Sequence, residues 1–147
     1  METPLSELIR HKGSHVCHVA PDATVEEAAQ QMARERVGAL LVMHDEEIVG
    51  IFTERDLLNR VIAEGIAPRN TRVHEVMTTE VVVIRPGRTV REAMQIVTIQ
   101  RFRHLPVVKD GHLLGMVSSG DLTRCIVAEE EGLIHTLMDY IHGTYPA

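Results

Sequence analysis

The chain contains the stretch Gly50-Ile51-Phe52-Thr53-Glu54-Arg55-Asp56-Leu57, and the same pattern returns as Gly115-Met116-Val117-Ser118-Ser119-Gly120-Asp121-Leu122. Each copy consists of glycine, two apolar residues, a hydroxyl residue, two variable positions and then Asp-Leu. The two copies lie 65 residues apart (115 − 50). Recurrence of a pattern at a fixed distance indicates an internal repeat.

The same offset relates residues far outside these two stretches. It pairs Val16 with Val81, Pro21 with Pro86, Thr24 with Thr89, Val25 with Val90, Glu27 with Glu92, Ala28 with Ala93, Gln30 with Gln95, Leu40 with Leu105, Val42 with Val107 and Asp45 with Asp110. No gap is needed between positions 16 and 62. The sequence therefore predicts a tandem repeat of one supersecondary unit.

The composition is that of a small globular protein, with 147 residues of which 44% are apolar and 24% charged. The formal net charge of −6 and the lack of a basic run argue against a nucleic-acid partner. Cys17 and Cys125 are too few for a disulfide framework or a four-cysteine metal site. No stretch approaches the length of an apolar span, and the acidic N-terminus lacks the apolar core of a signal peptide. We therefore expect a cytoplasmic protein without a membrane partner.

The first copy predicts the element order β-α-β-β-α. Thr24-Val25-Glu26-Glu27 is a capping box, which marks a helix start. Thr3-Pro4 opens a short preceding helix, with the threonine as its cap, and Gly13 ends it. The predicted elements are a strand at 16–19, a helix from Thr24 to Arg36, strands at 39–43 and 48–52, and a helix from Thr53 to about Glu64.

The second copy repeats this order after a linker at 66–72 and a helical turn at 73–77. The predicted elements are a strand at 81–84, a helix capped by Thr89 and Glu92, strands at 105–108 and 113–117 joined by an Asp-Gly turn, and a helix from Ser118 to about Ala128. The acidic residues 129–131 and Gly132 predict a break before a last amphipathic helix at 133–142.

We therefore predict an α/β (α+β) fold made of two β-α-β-β-α repeats. One copy has too little core to fold alone, so the two repeats are expected to pack through their sheets with pseudo-twofold symmetry. The predicted division assigns 1–66 to the N-terminal helix and first repeat, 67–132 to the linker and second repeat, and 133–147 to the C-terminal helix and tail.

This arrangement resembles paired cystathionine-β-synthase (CBS) domains, also called the Bateman module. The resemblance covers residues 12–128 and depends on four motifs: Val-Gly-Ala-Leu-Leu-Val at 37–42, Phe-Arg-His-Leu-Pro-Val-Val at 102–108, and the repeated stretches Gly50–Asp56 and Gly115–Asp121. The chain is similar to the small stand-alone bacterial proteins of this family, in which no catalytic domain is attached.

The resemblance implies a regulatory module that binds an adenosine-containing ligand in the clefts between the repeats and signals to a partner protein by a change of conformation. AMP is the simplest candidate for the ligand, and ADP, ATP, NAD(H) and S-adenosylmethionine are the alternatives. No catalytic cofactor is implied. The resemblance also implies a homodimer formed through the helices at 57–64 and 122–128, to which the terminal helix at 133–142 can add.

The resemblance assigns matched roles to residues of the two copies. Asp56 and Asp121 can each accept both hydroxyls of a ribose, and Thr53 and Ser118 begin helices whose free N–H groups favour phosphate. The other implied site residues are Ile51, Met116, Leu40 and Leu105 beside the adenine, Val16 and Val81 through their backbone groups, Arg55 beside the ribose, Arg103 and His104 near phosphate, and Gly38 and Ala39 at the positions matching Arg103 and His104.

The two sites are not expected to be equal. The first copy has Gly38 and Ala39 where the second copy has Arg103 and His104. Conversely, the second copy has Gly120 where the first has Arg55. The side chains at 103 and 104 are therefore supplied once per chain, and the sequence leaves open which site they complete.

The hydroxyl and aspartate residues also permit a plainer interpretation. Thr53 with Asp56, and Ser118 with Asp121, have the spacing of helix caps, and a cap needs no ligand. The alternative function is therefore a dimerisation or interaction scaffold with empty clefts. Capping and nucleotide binding can also coexist in one motif.

We expect neither a metal site nor catalysis. Four residues near the first strand could suggest a metal: His11, His15, Cys17 and His18. Their side chains alternate along an extended strand and are not expected to converge on one ion. His104 has no serine or cysteine nucleophile beside it in the sequence, and the chain lacks a glycine-rich phosphate loop.

Overall fold

The computed structural model of the chain describes residues 2–131. The chain divides into two compact units. The first-repeat unit is Val16–Val81, and the second-repeat unit joins Met1–His15 to Val82–Ala147. The predicted terminal helix at 133–142 lies outside the described residues.

The chain begins with helix α1 and then forms most of the first repeat. The elements in order are α1 (Leu5–Lys12), β1 (His18–Val19), α2 (Val25–Glu35), β2 (Ala39–His44), β3 (Glu47–Thr53), α3 (Glu54–Asp56, continuing as a π-helix at Leu57–Ile62), a 3-10 turn at Pro68–Asn70, and α4 (Val73–Val76). Strand β2 lies between β1, to which it is parallel, and β3, to which it is antiparallel.

The second repeat follows in the same order, except that its counterpart of β1 is a single bridge. Its elements are α5 (Val90–Gln100), β4 (His104–Lys109), β5 (His112–Ser118) and α6 (Ser119–Glu130). Strands β4 and β5 pair antiparallel, and α5 packs on α6. Both predicted capping boxes are present at the starts of α2 and α5. The predicted α/β fold with repeated helix and hairpin order is confirmed.

The predicted strand at 81–84 is wrong, because only Ile84 pairs, through a single parallel bridge to Val107. In the first-repeat unit the N–H of Leu41 donates to the carbonyl of Cys17, 3.1 Å away. The residue that matches Leu41 is Pro106, which has no N–H to donate. The ladder therefore stops after one bridge.

Two predicted helix ends are wrong, and one predicted helix differs in its hydrogen bonding. Pro4, not Thr3, is the N-cap of α1, and the Thr3 hydroxyl donates instead to the carboxylate of Glu129. Helix α6 continues to Glu130 through the predicted acidic break, since Glu129 is held by Thr3 and Glu130 by Arg91 at 3.3 Å. The helix predicted from Thr53 changes to π-helical hydrogen bonding at 57–62.

The middle segment, residues 71–78, completes the first repeat. The carbonyl of Thr71 accepts a hydrogen bond of 2.8 Å from Val25 at the start of α2. The N–H of Val73 donates to the carbonyl of Ala23 at 2.9 Å. These bonds attach the segment that precedes the second repeat to the body of the first.

The N-terminal segment, residues 3–12, completes the second repeat in the same way. The carbonyl of Thr3 accepts from the N–H of Val90 at 2.9 Å, and the N–H of Leu5 donates to the carbonyl of Arg88 at 2.8 Å. The sequence division grouped this helix with the first repeat, whereas it packs with the second. Thr3 and Thr71 make equivalent bonds and lie 68 positions apart (71 − 3), whereas equivalent residues of the repeats lie 65 positions apart. The N-terminal segment is therefore three residues longer than the middle segment.

The glycine that opens each repeated stretch makes room for one of these segments. A Cβ at Gly115 would lie 2.7 Å from Cδ1 of Ile9 on α1. A Cβ at Gly50 would lie 2.5 Å from Sδ of Met77 and 3.0 Å from the carbonyl oxygen of Thr78. The glycine is therefore required by packing across the strand, which explains its recurrence.

Each unit has its own hydrophobic core. The core of the first-repeat unit includes Val25, Leu40, Phe52, Val61 and Val73, all without exposed surface. The core of the second-repeat unit is formed by these buried residues, among others: Leu5, Leu8, Val90, Leu105, Val117, Leu122 and Cys125. Because Leu5 and Leu8 belong to it, the second repeat is not a closed core without the N-terminal segment.

Replacing Gly50 by alanine should destabilise the chain. The new methyl group meets backbone as well as the Met77 side chain, and overpacking of this kind costs about 1–3 kcal/mol. Urea unfolding measures the change. Gly87→Ala is the matched control, because a Cβ at Gly87 meets nothing within 4 Å, and it should stay within about 1 kcal/mol of the parent chain. Equal losses in the two variants would contradict the packing role.

Candidate functional site

Asp56 lies at the start of α3 and forms a reciprocal cap with Thr53. The N–H of Thr53 donates to Oδ2 of Asp56 at 3.0 Å, and the N–H of Asp56 donates to Oγ1 of Thr53 at 3.1 Å. The Thr78 hydroxyl lies 3.1 Å from Oδ1 and 3.3 Å from Oδ2. Nε of Arg60 is 3.6 Å from Oδ1. The carboxylate thus has one nearby cation within its unit, and its side chain is 9% exposed.

Asp121 occupies the equivalent place at the start of α6. The N–H of Ser118 donates to its Oδ2 at 2.9 Å, and the N–H of Asp121 donates back to Oγ of Ser118 at 3.1 Å. Arg124 donates to Oδ1 at 2.7 Å. The ammonium group of Lys12, on α1, donates to Oδ2 and also to the carbonyl of Met116 at 2.7 Å. Asp121 therefore faces two cations, and its side chain is 5% exposed.

The predicted caps are confirmed in both repeats. A cap accounts for one oxygen of each carboxylate. It does not account for the second oxygen, which in Asp56 faces Thr78 and in Asp121 faces Arg124. The aspartates thus hold more bonding capacity than helix capping requires.

The surroundings of Asp121 set its pKa. Burial alone would raise the pKa of this carboxyl group, but the charge and hydrogen bond of Lys12, the N–H of Ser118 and the charge of Arg124 outweigh burial, so the pKa lies below its usual value. Asp121 is therefore ionised at neutral pH and is a hydrogen-bond acceptor only.

Arg103 and His104 lie beside the cap of the second repeat. His104 pairs with Ser118 across β4 and β5, and the carbonyl of Arg103 accepts from the N–H of Ser119 at 2.8 Å. Gly38 and Ala39 occupy the same places in the first repeat. Ala39 pairs with Thr53, and the carbonyl of Gly38 accepts from Glu54 at 2.9 Å.

Gly38 has no side chain, and the carboxylate of Glu54, on the following helix, lies next to its Cα. A Cβ there would lie 3.2 Å from a carboxylate oxygen of Glu54. The first repeat therefore has a carboxylate close to the position where the second repeat has Arg103. This adds to the predicted difference between the two repeats.

The structure also locates the residues predicted to contact adenine. Ile51 is buried, and both its N–H and its carbonyl bond to Thr78 at 2.9 Å. Met116 is half-buried. Leu40 and Leu105 lie in the two cores without exposed surface, so their side chains shape the sheets and do not line an open surface. Three further residues of the prediction lie as follows: Val16 and Val81 are half-buried, and Arg55 is exposed.

Sequence reasoning missed four residues that contact the aspartates. Arg60 and Arg124 lie one helical turn after Asp56 and Asp121, a spacing that could have identified them. Gly120 does not leave the second repeat without a cation, since Arg124 supplies one. Thr78 and Lys12 approach from distant parts of the chain, and no local pattern marks them.

One side chain of α2 approaches the donor atoms near β1. Within the first-repeat unit, a carboxylate oxygen of Glu35, at the end of α2, lies within 4.8 Å of Sγ of Cys17. The alternation of side chains along the strand gives no sign of this approach, and the absence of a metal site stays a prediction. In the second-repeat unit, burial and the charge of Glu129 raise the pKa of Cys125 to about 11, so that thiol stays protonated at neutral pH.

Two repeats that share the order helix, β-hairpin, helix, the first with an additional strand, define a tandem-repeat α/β module in which a buried aspartate lies in the capping box of each last helix. A family model described as CBS domain matches residues 2–63 and again residues 73–128. The chain therefore belongs to the CBS-domain family and contains a tandem CBS pair.

Related proteins support this assignment. The chain is 37% identical over 152 residues to "CBS domain-containing protein CBSX3, mitochondrial" of Arabidopsis thaliana, and this alignment covers 97% of this chain and 74% of that protein. It is 37% identical over 109 residues to the CBS domain-containing protein YhcV of Bacillus subtilis, and this alignment covers 74% of this chain and 77% of that protein. The structure of a putative signal-transduction protein with CBS domains from Burkholderia ambifaria superposes with a TM-score of 0.84 at 35% identity. The superposition covers 87% of this chain and 96% of that chain.

Within residues 2–131, no helix has both the length and the apolar character needed to cross a membrane.

Replacing Asp121 by asparagine should flatten the acid limb of the stability curve. The folded pKa lies below the value of about 3.9 in the unfolded chain, so ionised Asp121 stabilises the fold above about pH 4. That contribution is lost as the pH falls through the folded pKa. Urea midpoints measured from pH 7 downward should decrease less steeply in Asp121→Asn than in the parent chain. Asp22→Asn, at an exposed aspartate, is the control and should follow the parent curve.

Proposed function

We propose that this tandem CBS protein is a regulatory sensor that binds an adenine nucleotide and passes the signal to a partner protein by a change of conformation. AMP is the simplest ligand, and ATP, NAD(H) or S-adenosylmethionine share the adenosine group that the proposal requires. The nucleotide is a regulatory ligand, and no catalytic cofactor is involved. The cytoplasmic location stays a prediction from the sequence.

The observation that carries this proposal is the nearly buried carboxylate at the same place in both repeats. Placing a charge where it is 9% or 5% exposed is costly. Asp56 and Asp121 are the third helical residues of capping boxes, where an uncharged glutamine can also accept the N–H of the N-cap, so capping alone does not require a buried charge. A carboxylate is the group that accepts two adjacent hydroxyls, as in a ribose. Its retention in both copies favours a ligand over a purely structural role.

Phosphate binding is supported by the groups around the helix starts. Ser118 begins α6, whose first N–H groups and dipole favour an anion. Arg103 and His104 lie beside that end, and Arg103 is exposed. We assign the ribose to the aspartates, and the phosphate to this end of the second repeat.

A sensor needs two states that bind the ligand with different affinity. The similar Burkholderia protein is described as a putative signal-transduction protein with CBS domains, which supports a regulatory role for this tandem CBS pair. The partner that responds to this chain is a protein of unknown identity. We infer no nucleic-acid partner, in line with the net charge of −6.

The alternative function, a dimerisation scaffold without ligand, is favoured by one observation. Leu58 and Ile62, on the π-helical part of α3, are 60% and 56% exposed. They lie one turn apart and form an apolar stripe on the helix that the resemblance assigns to the dimer. We propose that this stripe joins two copies of the chain, which is compatible with nucleotide binding.

Replacing Asp56 by asparagine should weaken nucleotide binding about tenfold to a hundredfold, because a charge-assisted hydrogen-bond pair contributes about 1.5–3 kcal/mol. Isothermal titration with AMP, ATP, NADH and S-adenosylmethionine measures the affinity. Asparagine keeps the shape and one oxygen, so the cap to Thr53 can persist. Asp22→Asn is the matched control and should bind like the parent chain. Unchanged affinity in folded Asp56→Asn would refute the ribose assignment.

Replacing Leu58 by glutamate should shift the chain from dimer to monomer, since it places a charge in the proposed apolar contact. Sedimentation velocity over a range of concentrations measures the shift. Ile99→Glu is the control, because Ile99 is 79% exposed on α5, outside the stripe. Dissociation by Ile99→Glu but not by Leu58→Glu would place the interface elsewhere.

A further inference from the structure

We propose that Lys12 is a specificity-determining residue of the second repeat, where its ammonium group occupies the acceptor position on Asp121 that a ribose diol needs. The two repeats then differ in nucleoside affinity, and Lys12 regulates the weaker site. The inference rests on the proposed function and deepens it by naming the residue that makes the sites unequal.

The hydrogen bonds of Asp121 leave no room for a diol. A carboxylate offers about two acceptor positions on each oxygen. On Oδ2 both are taken, one by the N–H of Ser118 and one by Lys12. On Oδ1 one is taken by Arg124. A ribose diol bound across the carboxylate needs one position on each oxygen, so it cannot bind in this way while Lys12 is in place.

The hydrogen bonds of Asp56 are different. Thr53 takes one position on Oδ2. Thr78 has a single hydroxyl hydrogen, which serves either oxygen and can rotate away. With that hydrogen on Oδ1, each oxygen keeps one acceptor position among the bonds within this unit. Asp56 can therefore accept a diol without displacing a charged group.

The difference arises from the three additional residues of the N-terminal segment. In the middle segment, α4 ends at Val76, and Thr78 pairs its backbone with Ile51. In the N-terminal segment the helix continues for a further turn and ends at Lys12. The Lys12 side chain bonds to the carbonyl of Met116, the residue that matches Ile51. A cation thus stands in the second repeat where a neutral hydroxyl stands in the first.

Lys12 can leave Asp121. Its side chain is 31% exposed, so the ammonium group has a short path to solvent, and Arg124 remains to pair with the carboxylate. The contact is therefore a reversible competitor of the ribose, not a permanent block. A ligand that binds the second repeat must first displace Lys12, which lowers its apparent affinity.

The test isolates the second repeat with Asp56→Asn and then removes the competitor with Lys12→Met, which keeps the length and apolar stem of the side chain. Isothermal titration with adenosine measures the affinity of each variant. Adenosine carries no phosphate, so the loss of a cation cannot change its attraction to the site. We expect Asp56→Asn/Lys12→Met to bind adenosine about tenfold tighter than Asp56→Asn. The gain should be smaller for AMP, whose phosphate loses a nearby cation.

Two controls make the result specific. Arg10→Met in the Asp56→Asn chain removes a cation from the same helix, but Arg10 pairs with Glu7, so adenosine binding should not change. Adding Asp121→Asn to the double variant should abolish the gain. Equal adenosine affinity with and without Lys12 would overturn the inference, as would two equal sites in the parent chain. If AMP binds the parent chain but Lys12→Met gives no gain, only this inference fails. If neither the parent chain nor any variant binds adenosine, AMP, ATP, NADH or S-adenosylmethionine, the proposed function fails with it.

Discussion

The buried carboxylate at the start of the last helix in each repeat is the group on which the rest of the structure depends. A charge that is mostly withdrawn from water needs partners, and the cap to Thr53 or Ser118 uses only one oxygen. Arg60 and Arg124 approach from the same helix, and one further partner in each repeat comes from the segment that packs across the strand before that helix. Asp56 is contacted by Thr78, and Asp121 by Lys12, which is 109 residues away in the chain. The carboxylate thereby ties its repeat to a remote segment.

The same dependence explains why each repeat is incomplete in sequence order. The N-terminal segment supplies Leu5 and Leu8 to the core of the second repeat, and the middle segment supplies Val73 to the core of the first. The glycine at the start of each repeated stretch permits this packing, since a side chain there would overlap Ile9 or Met77. The glycine and the aspartate of the repeated motif therefore contact the same segment: the glycine leaves space for it, and the aspartate bonds to it.

The sequence predicts what short-range rules determine. The hairpins and the capping boxes depend on residues within a few positions of one another, and they are confirmed. The repeat, which is visible as a fixed offset between similar residues, is confirmed as well. The absence of a strand at 81–84 could also have been predicted, because Pro106 has no N–H to donate to that strand. The strand was expected only because the first repeat has one at the matching position. The partners of the aspartates were not predictable in this way. The contact from Lys12 depends on an insertion of three residues and on long-range packing, neither of which leaves a periodic pattern.

A tandem repeat can change one site without disturbing the other, because each aspartate takes its partner from a different segment. Three extra residues before the first repeat extend α1 by a turn, and the bonds from Thr3 and Leu5 that hold the segment keep their counterparts in the middle segment. The fold is preserved, while a hydroxyl is exchanged for a cation at one carboxylate. A hydroxyl and an ammonium group differ by a full charge in a poorly hydrated place, where charge differences have their largest effect. Two repeats with the same backbone can therefore present chemically different sites, and the difference is encoded outside the motif that defines them.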